Sequence, residues 1–454
     1  MNHQMENSII SFLILLIILF SLDVGIAITD ETFNPDLLED CWRKEIDGIP
    51  IIYVSGSHYQ MGYQYGYLLK EEIYSNCRAF FNRCPKDLFN LSDVLFEWLQ
   101  ITNFSLLPAH YQNEIQGLID GAQLPPPINT KKGENNFSIS MFCSGISTWG
   151  SATKNDTLFH FRSLDSPLFK DSESNTFVHD NQAILIRNPV NGFRSLSPSV
   201  AGDLGVYGGI NEKGISISWV SGFSNDIDSI GTPLGIRLKM ALDYSNSIEE
   251  TLSILQSNRT NALSYIISDA NEPQGFVNEQ TANLSYVGTW NDSSESQYPF
   301  WSLDHLVRRT NIFINTTISE TQRTFYNPSF FPYLSSLFRL NQFYDNTYYF
   351  LSNVPSSGSW IHYNVLSKEL ERMHGQIDEN NALPLLQRVY SGKTDFRYAF
   401  VTHFFNTGLD PWHQWVANPA TGDITISFAQ DYKTADETTI HQFNLYTLIS
   451  SEKD

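Results

Sequence analysis

The sequence predicts an α+β fold, and three observations predict it. Helical spacing dominates the part ahead of a loop-like stretch, Pro125 to Asn136, rich in proline, lysine and asparagine. After Ser138 the chain breaks into short apolar runs separated by turns, the pattern of antiparallel hairpins. Helical stretches then recur between those runs, which fits sheets covered by helices. With 454 residues, 41% hydrophobic and 14% aromatic, the chain has ample material for a buried core and is not a disordered polymer.

The elements follow in order. Ile9 to Phe20 is apolar except for Ser11, and small residues follow at Gly25 and Ala27. That length suits a secretory signal better than a membrane span, so residues 1–27 are expected to be a signal peptide, with an uncleaved signal anchor as the alternative. The segment ahead of it is atypical, with Glu6 and no Lys or Arg. No later segment is long and apolar enough to span a bilayer. Asn-x-Ser/Thr triplets at Asn90, Asn103, Asn136, Asn155, Asn258, Asn283, Asn291 and Asn315 support a secreted or lysosomal glycoprotein. The formal charge is −21, from 28 Lys plus Arg against 49 Asp plus Glu. Such a surface disfavours nucleic acid and anionic membranes.

Ile51 to Val54 reads as a strand, and Ser57 caps a helix with Gln60 three residues on. Gly62 and Gly66 share one face of that helix and predict close backbone packing. Further helices are expected at Val94 to Gln100 and Tyr111 to Ile119. Phe142 to Trp149 and Leu158 to Ser163 flank a hairpin loop. Strands are expected at Ala183 to Arg187, Gly192 to Leu196, Gly205 to Ile210 and Ile215 to Val220, then helices at Leu234 to Tyr244 and Ile248 to Ser257. Strands return at Ser264 to Ser268, Gln274 to Asn278 and Leu284 to Gly288. A helix is read at Ser302 to Ile314, and final strands at Tyr398 to Phe404, Gln414 to Asn418 and Ile424 to Phe428. The segment 28–142 is expected to be a helical lead and linker, and 143–454 the catalytic chain.

Four cysteines are too few to build the fold on disulfides. Cys77 and Cys84 are spaced for a local bridge. Cys41 and Cys143 then either pair with each other or leave a free thiol with a function. The sequence carries no G-x-S-x-G elbow, Walker loop or H-E-x-x-H. His403, Asp410 and His413 match no strong metal spacing, so neither metal nor cofactor is expected.

The stretch that carries chemistry is Phe142-Cys143-Ser144-Gly145, followed on the returning strand by Arg162-Ser163-Leu164-Asp165. Antiparallel return can bring Arg162 and Asp165 back to Cys143. A guanidinium beside a thiol stabilises the thiolate, which is the nucleophile.

These residues resemble the nucleophile hairpin of N-terminal-nucleophile (Ntn) hydrolases, most closely the acyl-coenzyme A:6-aminopenicillanic acid acyltransferase-like group, also grouped as the C45 peptidase family. Acid ceramidases and bile-salt or penicillin-V amidases share the hairpin. The Ile51 to Leu69 segment, with its Gly-Ser and spaced glycines, resembles the group's amino-terminal segment. Asn211-Glu212-Lys213-Gly214 resembles its Asn-Glu-x-Gly turn, with weaker echoes at Ser268-Asp269-Ala270, Gly288-Thr289-Trp290-Asn291 and Ala417 to Gly422. The resemblance implies a four-layer αββα sandwich of two antiparallel sheets between helix layers. It also implies self-cleavage between Phe142 and Cys143, with the two halves staying associated, and a free α-amine that takes the thiol proton.

Asp165 would then hold that amine and Arg162 would stabilise the thiolate. Asn291 matches an oxyanion position that is also a glycosylation triplet. Ser221 stands where relatives place a second asparagine. Arg309, or its neighbour Arg308, matches an arginine placed on a helix in relatives. The implied activity is amidase or acyltransferase chemistry on a linear amide, small-molecule or lipid. The rivals are a ceramidase- or phospholipase-like acyl hydrolase and a catalytically silent glycoprotein of the same fold.

Overall fold

A computed structural model describes residues 34–81, 90–101, 103–127, 142–297, 300–322, 359, 362–394 and 410–450. Residues 34–36 belong to a separate amino-terminal unit; the account below concerns the unit from Leu37 onward.

The strands are β1 (Trp42–Ile46), β2 (Ile49–Gly56), β3 (Phe142–Thr148), β4 (Phe159–Asp165), β5 (Gln182–Pro189), β6 (Ser195–Val200), β7 (Gly208–Asn211) and β8 (Ile215–Ser221). They continue as β9 (Leu263–Asp269), β10 (Gln274–Gln280), β11 (Ser285–Gly288), β12 (Leu306–Arg309), β13 (Pro411–Asn418), β14 (Asp423–Phe428) and β15 (His441–Asn444). Among the described residues they form a nine-stranded sheet, β1-β2-β5-β6-β7-β8-β9-β10-β11, and a six-stranded sheet, β12-β3-β4-β13-β14-β15.

Alternation along the strands stacks the two sheets face to face. Ile51, Tyr53, Ile184 and Ile186 meet Trp415, Ala417 and Ile426 in one core cluster between the sheets. Their neighbours Ile52, Val54, Ala183 and Leu185 point outward into a helix-covered core. That outer layer is α1 (His58–Leu68), α2 (Lys70–Phe81), α3 (Leu91–Trp98), α4 (Ala109–Ala122), α5 (Leu234–Tyr244) and α6 (Ile248–Leu255). On the far side Ile146, Phe159, Phe161 and Val416 of the six-stranded sheet pack on Leu366, Leu370, Leu386 and Val389. Those come from α7 (residues 362–373) and α8 (Ala382–Tyr390). The architecture is therefore α+β in four layers, αββα. It departs from wholly antiparallel sheets at one join, where β2 runs parallel to β5. Residues between Leu37 and position 127 supply β1, β2 and α1–α4 to the same body.

Local chemistry explains the helical pair that opens the chain. Ser57 caps α1, its Oγ accepting from the Gln60 N–H at 3.2 Å. The glycines of α1 then interlock with those of α4. A Cβ on Gly62 would lie 1.9 Å from the Glu114 carbonyl oxygen, and one on Gly117 2.1 Å from that of Tyr59.

One expected element is corrected. The helix read at 302–314 is not formed: Leu306–Arg309 is an edge strand paired with β3, Arg309 opposite Gly145. Alternation sends Arg308 towards Ser367 and Arg309 towards Glu279, so burial of two arginines on opposite faces decides for a strand. The strand read at Tyr398 to Phe404 lies outside the described residues.

Candidate active site

Cys143 is the second residue of β3. The ladder sets Cys143 opposite Leu164 and Gly145 opposite Arg162, which puts Cys143 and Arg162 on the same face, towards the nine-stranded sheet. Arg162 then crosses diagonally, and its Nη2 donates to Cys143 Sγ at 2.8 Å. Both residues are fully buried. Nη1 of the guanidinium donates to the carbonyls of Ser163 (2.5 Å) and Ser144 (3.4 Å), and the head lies 5.9 Å from the Trp219 ring centroid. Among the described residues Arg162 makes no ion pair with a carboxylate, so the sulfur is the acceptor aligned with its free fork.

The backbone nitrogen of Cys143 is held as well, donating to Asn311 Oδ1 at 2.9 Å. Asn311 in turn donates from Nδ2 to the Ser221 carbonyl at 3.0 Å. The Ser221 main chain also favours the thiolate of Cys143. Ser221 thus takes part through its main chain, at the end of β8. Burial raises the Cys143 thiol above its ordinary range; Arg162 opposes that rise, and the charge of Asp165 adds to it.

Asp165 is one ladder step along, opposite Phe142, and faces the other way, towards α8. Its carboxyl accepts from Ser163 Oγ at 2.5 Å and from the Tyr390 hydroxyl at 2.8 Å. Tyr390 shares a 3.0 Å hydrogen bond with Ser144 Oγ, and Gln414 donates to Ser163 Oγ at 3.2 Å. Burial pushes the Asp165 carboxyl up to about 7, against the pull of Ser163, Tyr390 and Arg162. Phe142 and Cys143 are thus flanked by a guanidinium on one face of the hairpin and a carboxyl poised near neutrality on the other.

The structure brings Cys143, Arg162, Asp165 and Ser221 together. Asn291 is an exposed turn residue after β11. Arg309 is buried in an ion-pair cluster with Glu279 (2.6 Å) and Glu295 (2.5 Å). Arg308 donates to Ser367 and to the Trp301 carbonyl. Asn311 was not legible as a site residue; its signal was a lone amide two residues past Arg309, leading into the apolar run Ile312-Phe313-Ile314.

His160, one face-mate from Arg162, bridges Ser268 and Ser218 across the sheets and stacks on Trp415. Burial lowers it to about 3, so it is a neutral strut. His413 is bonded to Gln182, and His403 lies outside the described residues. Among the described residues no group of three or more His, Cys, Asp or Glu could hold a metal. Cys41, Cys77 and Cys143 are free thiols, so neither a Cys41–Cys143 bridge nor a bridged Cys77 is present; Cys84 lies outside the described residues.

Fold and site together define a layered αββα protein with a buried cysteine–arginine pair at the start of a hairpin. Comparison with known proteins adds distant likenesses. No family model matches the chain. It is 25% identical over 252 residues to protein dcd1B of Dictyostelium discoideum, covering 49% of this chain and 48% of that one. It is 23% identical over 291 residues to an uncharacterised protein of Archaeoglobus fulgidus, covering 56% and 47%. The match spans about half the length of these curated relatives. Among solved structures, a conjugated bile acid hydrolase of Clostridium perfringens is similar at TM-score 0.35 and 16% identity, over 67% of this chain and 93% of that one. A penicillin V acylase of Agrobacterium tumefaciens gives 0.39 and 14% over 67% and 86%. An N-acylethanolamine-hydrolysing acid amidase orthologue of Caenorhabditis elegans gives 0.33 and 13% over 66% and 99%.

Proposed function

We propose that the chain is an Ntn hydrolase of the C45-like group, acting as an amidase or acyltransferase on a linear amide, with Cys143 as nucleophile. The observation that carries this reading is the 2.8 Å bond from Arg162 to Cys143 Sγ, made while Asn311 holds the nitrogen of the same residue. In the unbroken chain the thiol attacks the Phe142 carbonyl carbon. The S–C bond forms, the C–N bond breaks, and the nitrogen leaves as an amine carrying the thiol's proton. Water then hydrolyses the thioester, releasing a carboxylate at Phe142 and the thiol at a new amino terminus.

That α-amine, with an ordinary pKa near 7.7–8.0, is the internal base of the mature site. It takes the thiol proton, the thiolate attacks the substrate carbonyl, and the amine leaving group receives the proton back. Water or an acceptor amine completes the turnover. Asn311 keeps the amine beside the sulfur, and Arg162 with the Ser221 main chain favours the anion over the thiol. Asp165, lying beside Phe142 in the ladder, serves the cleavage step as a carboxyl able to change protonation near neutral pH.

Entry into the secretory route is part of the proposal. Asn155, Asn258, Asn283 and Asn291 are exposed, as glycan attachment requires. The deciding experiment is amino-terminal sequencing of the purified protein beside Cys143→Ala. The expected result is a chain beginning at Cys143 in the wild type and an unbroken Phe142–Cys143 link in the variant. An active wild type with that link intact overturns the reading.

A further inference from the structure

Asn311 sits at the apex of a tight turn: the Ile312 N–H bonds to the Thr310 carbonyl at 2.7 Å, two residues back. The amide of Asn311 ties that turn to the Cys143 nitrogen and to the Ser221 carbonyl. The turn's two flanks converge on one side chain from the other sheet, Glu279 of β10, which is fully buried. On the near side, Arg309 Nε donates to Glu279 Oε1 at 2.6 Å. On the far side the Ile314 N–H donates to the same oxygen at 2.8 Å, and the Asn315 N–H donates to Oε2 at 3.1 Å.

One carboxylate therefore clamps the chain both before and after Asn311, and it does so across the gap between the sheets. Arg309 spends the rest of its fork on Glu295 and the Arg308 carbonyl. Two buried carboxylates share one guanidinium, an arrangement that costs more than apolar packing would. Bonded on both flanks by one carboxylate, the turn has its position fixed between two anchor points.

Resting on the assignment of Cys143 as nucleophile, we infer that Glu279 is a positioning residue for that site and acts through Asn311. It sets where the amide oxygen meets the Cys143 nitrogen, and hence the alignment of sulfur with the Phe142 carbonyl. Its effect belongs to the rate of reaction and is not an independent contribution beside Asn311.

The test is a double-mutant cycle on self-cleavage, which needs no substrate. Full-length wild type, Glu279→Gln, Asn311→Ala and the double variant are made by cell-free translation. The first-order appearance of the Cys143 terminus is followed, with thermal unfolding recorded for each. Glu279→Gln is expected to slow cleavage roughly 10- to 100-fold, and Asn311→Ala at least as much. The double variant should stay within about threefold of Asn311→Ala alone. Effects that multiply, or a Glu279→Gln chain that cleaves at the wild-type rate, overturn the inference while leaving Cys143 as nucleophile. A wild type that never cleaves, or a Cys143→Ala chain that still does, removes the functional reading itself and this inference with it. Should Glu279→Gln not fold, Glu279→Asp takes its place. It keeps the charge and shortens the reach by one methylene, and the same cycle with the same limits applies.

Discussion

Replacing Arg162 by methionine tests the centre of the site. The two side chains are similar in volume but methionine is shorter, so the change removes charge and donors without opening a large cavity. At 2.8 Å, a guanidinium and a thiolate attract by about 6 kcal/mol at an effective dielectric of about 20. That is a ceiling; with about half of it lost in the attacking state, the step slows about a hundredfold at roughly 1.4 kcal/mol per factor of ten. Without the guanidinium, burial moves the thiol further above its ordinary range, so less thiolate is present near neutral pH. The fold pays separately, because the Ser163 and Ser144 carbonyls lose their donor, at about 1–3 kcal/mol for a buried group left bare. The assay is the first-order rate of self-cleavage from pH 5 to 9, with thermal unfolding alongside. Expected are a cleavage rate about 100-fold lower at pH 7 and a pH profile displaced to higher pH in a chain that still melts cooperatively. A folded variant with an unchanged rate and profile would refute the claim that Arg162 tunes this sulfur.

Two further predictions concern packing and protonation. Gly117→Ala gains about 1 kcal/mol of helix propensity but drives a methyl group to 2.1 Å from the Tyr59 carbonyl oxygen. Prising α1 from α4 should cost about 2–3 kcal/mol net in urea denaturation, and a stabilised variant would contradict the close approach of these helices. Asp165 has a folded pKa raised to about 7 against 3.8. Its contribution to stability is therefore fully present below pH 3.8 and is lost as pH rises through about 7. Relative to Asp165→Asn, the wild type should lose up to about 4 kcal/mol between pH 4 and 7. Parallel stability curves for the two proteins would show that the carboxyl is not buried as described.

The fold was legible where local rules and burial agree. Ser57, the spaced glycines and the Leu234–Tyr244 helix followed from capping and periodicity alone. The stretch 302–314 was misread because Leu303, Leu306 and Val307 fit a helical period, whereas the deciding forces were tertiary: a vacant edge on β3 and carboxylates waiting at Glu279 and Glu295. The site divides in the same way. Cys143, Arg162 and Asp165 lie on one hairpin, so register could bring them together from sequence. Asn311 reaches Cys143 from 168 positions away, held by a side chain of the opposite sheet, and no local pattern encodes that meeting.

The same topology bears on what scission ahead of Cys143 would leave. The parallel ladder of β2 on β5 joins a strand from before the break to one from after it. Behind that ladder, Glu114 of α4 accepts from Arg187 of β5 at 3.1 Å and from Lys239 of α5 at 2.5 Å, while Tyr111 donates to Asp243 at 2.7 Å. All four charged groups are almost wholly buried, so parting the segments would expose unpaired charge together with the apolar faces around it. Arg187 and Lys239 hold the Glu114 carboxyl well below its ordinary range despite burial. Its contribution is therefore present above pH 4.5 and is lost only as pH falls through that lowered value. Cleaved protein should accordingly elute as one species in gel filtration from pH 5 to 8 and divide into two pieces only in denaturant. Pieces that separate spontaneously at neutral pH would mean that the ladder and the ion cluster do not hold the body together.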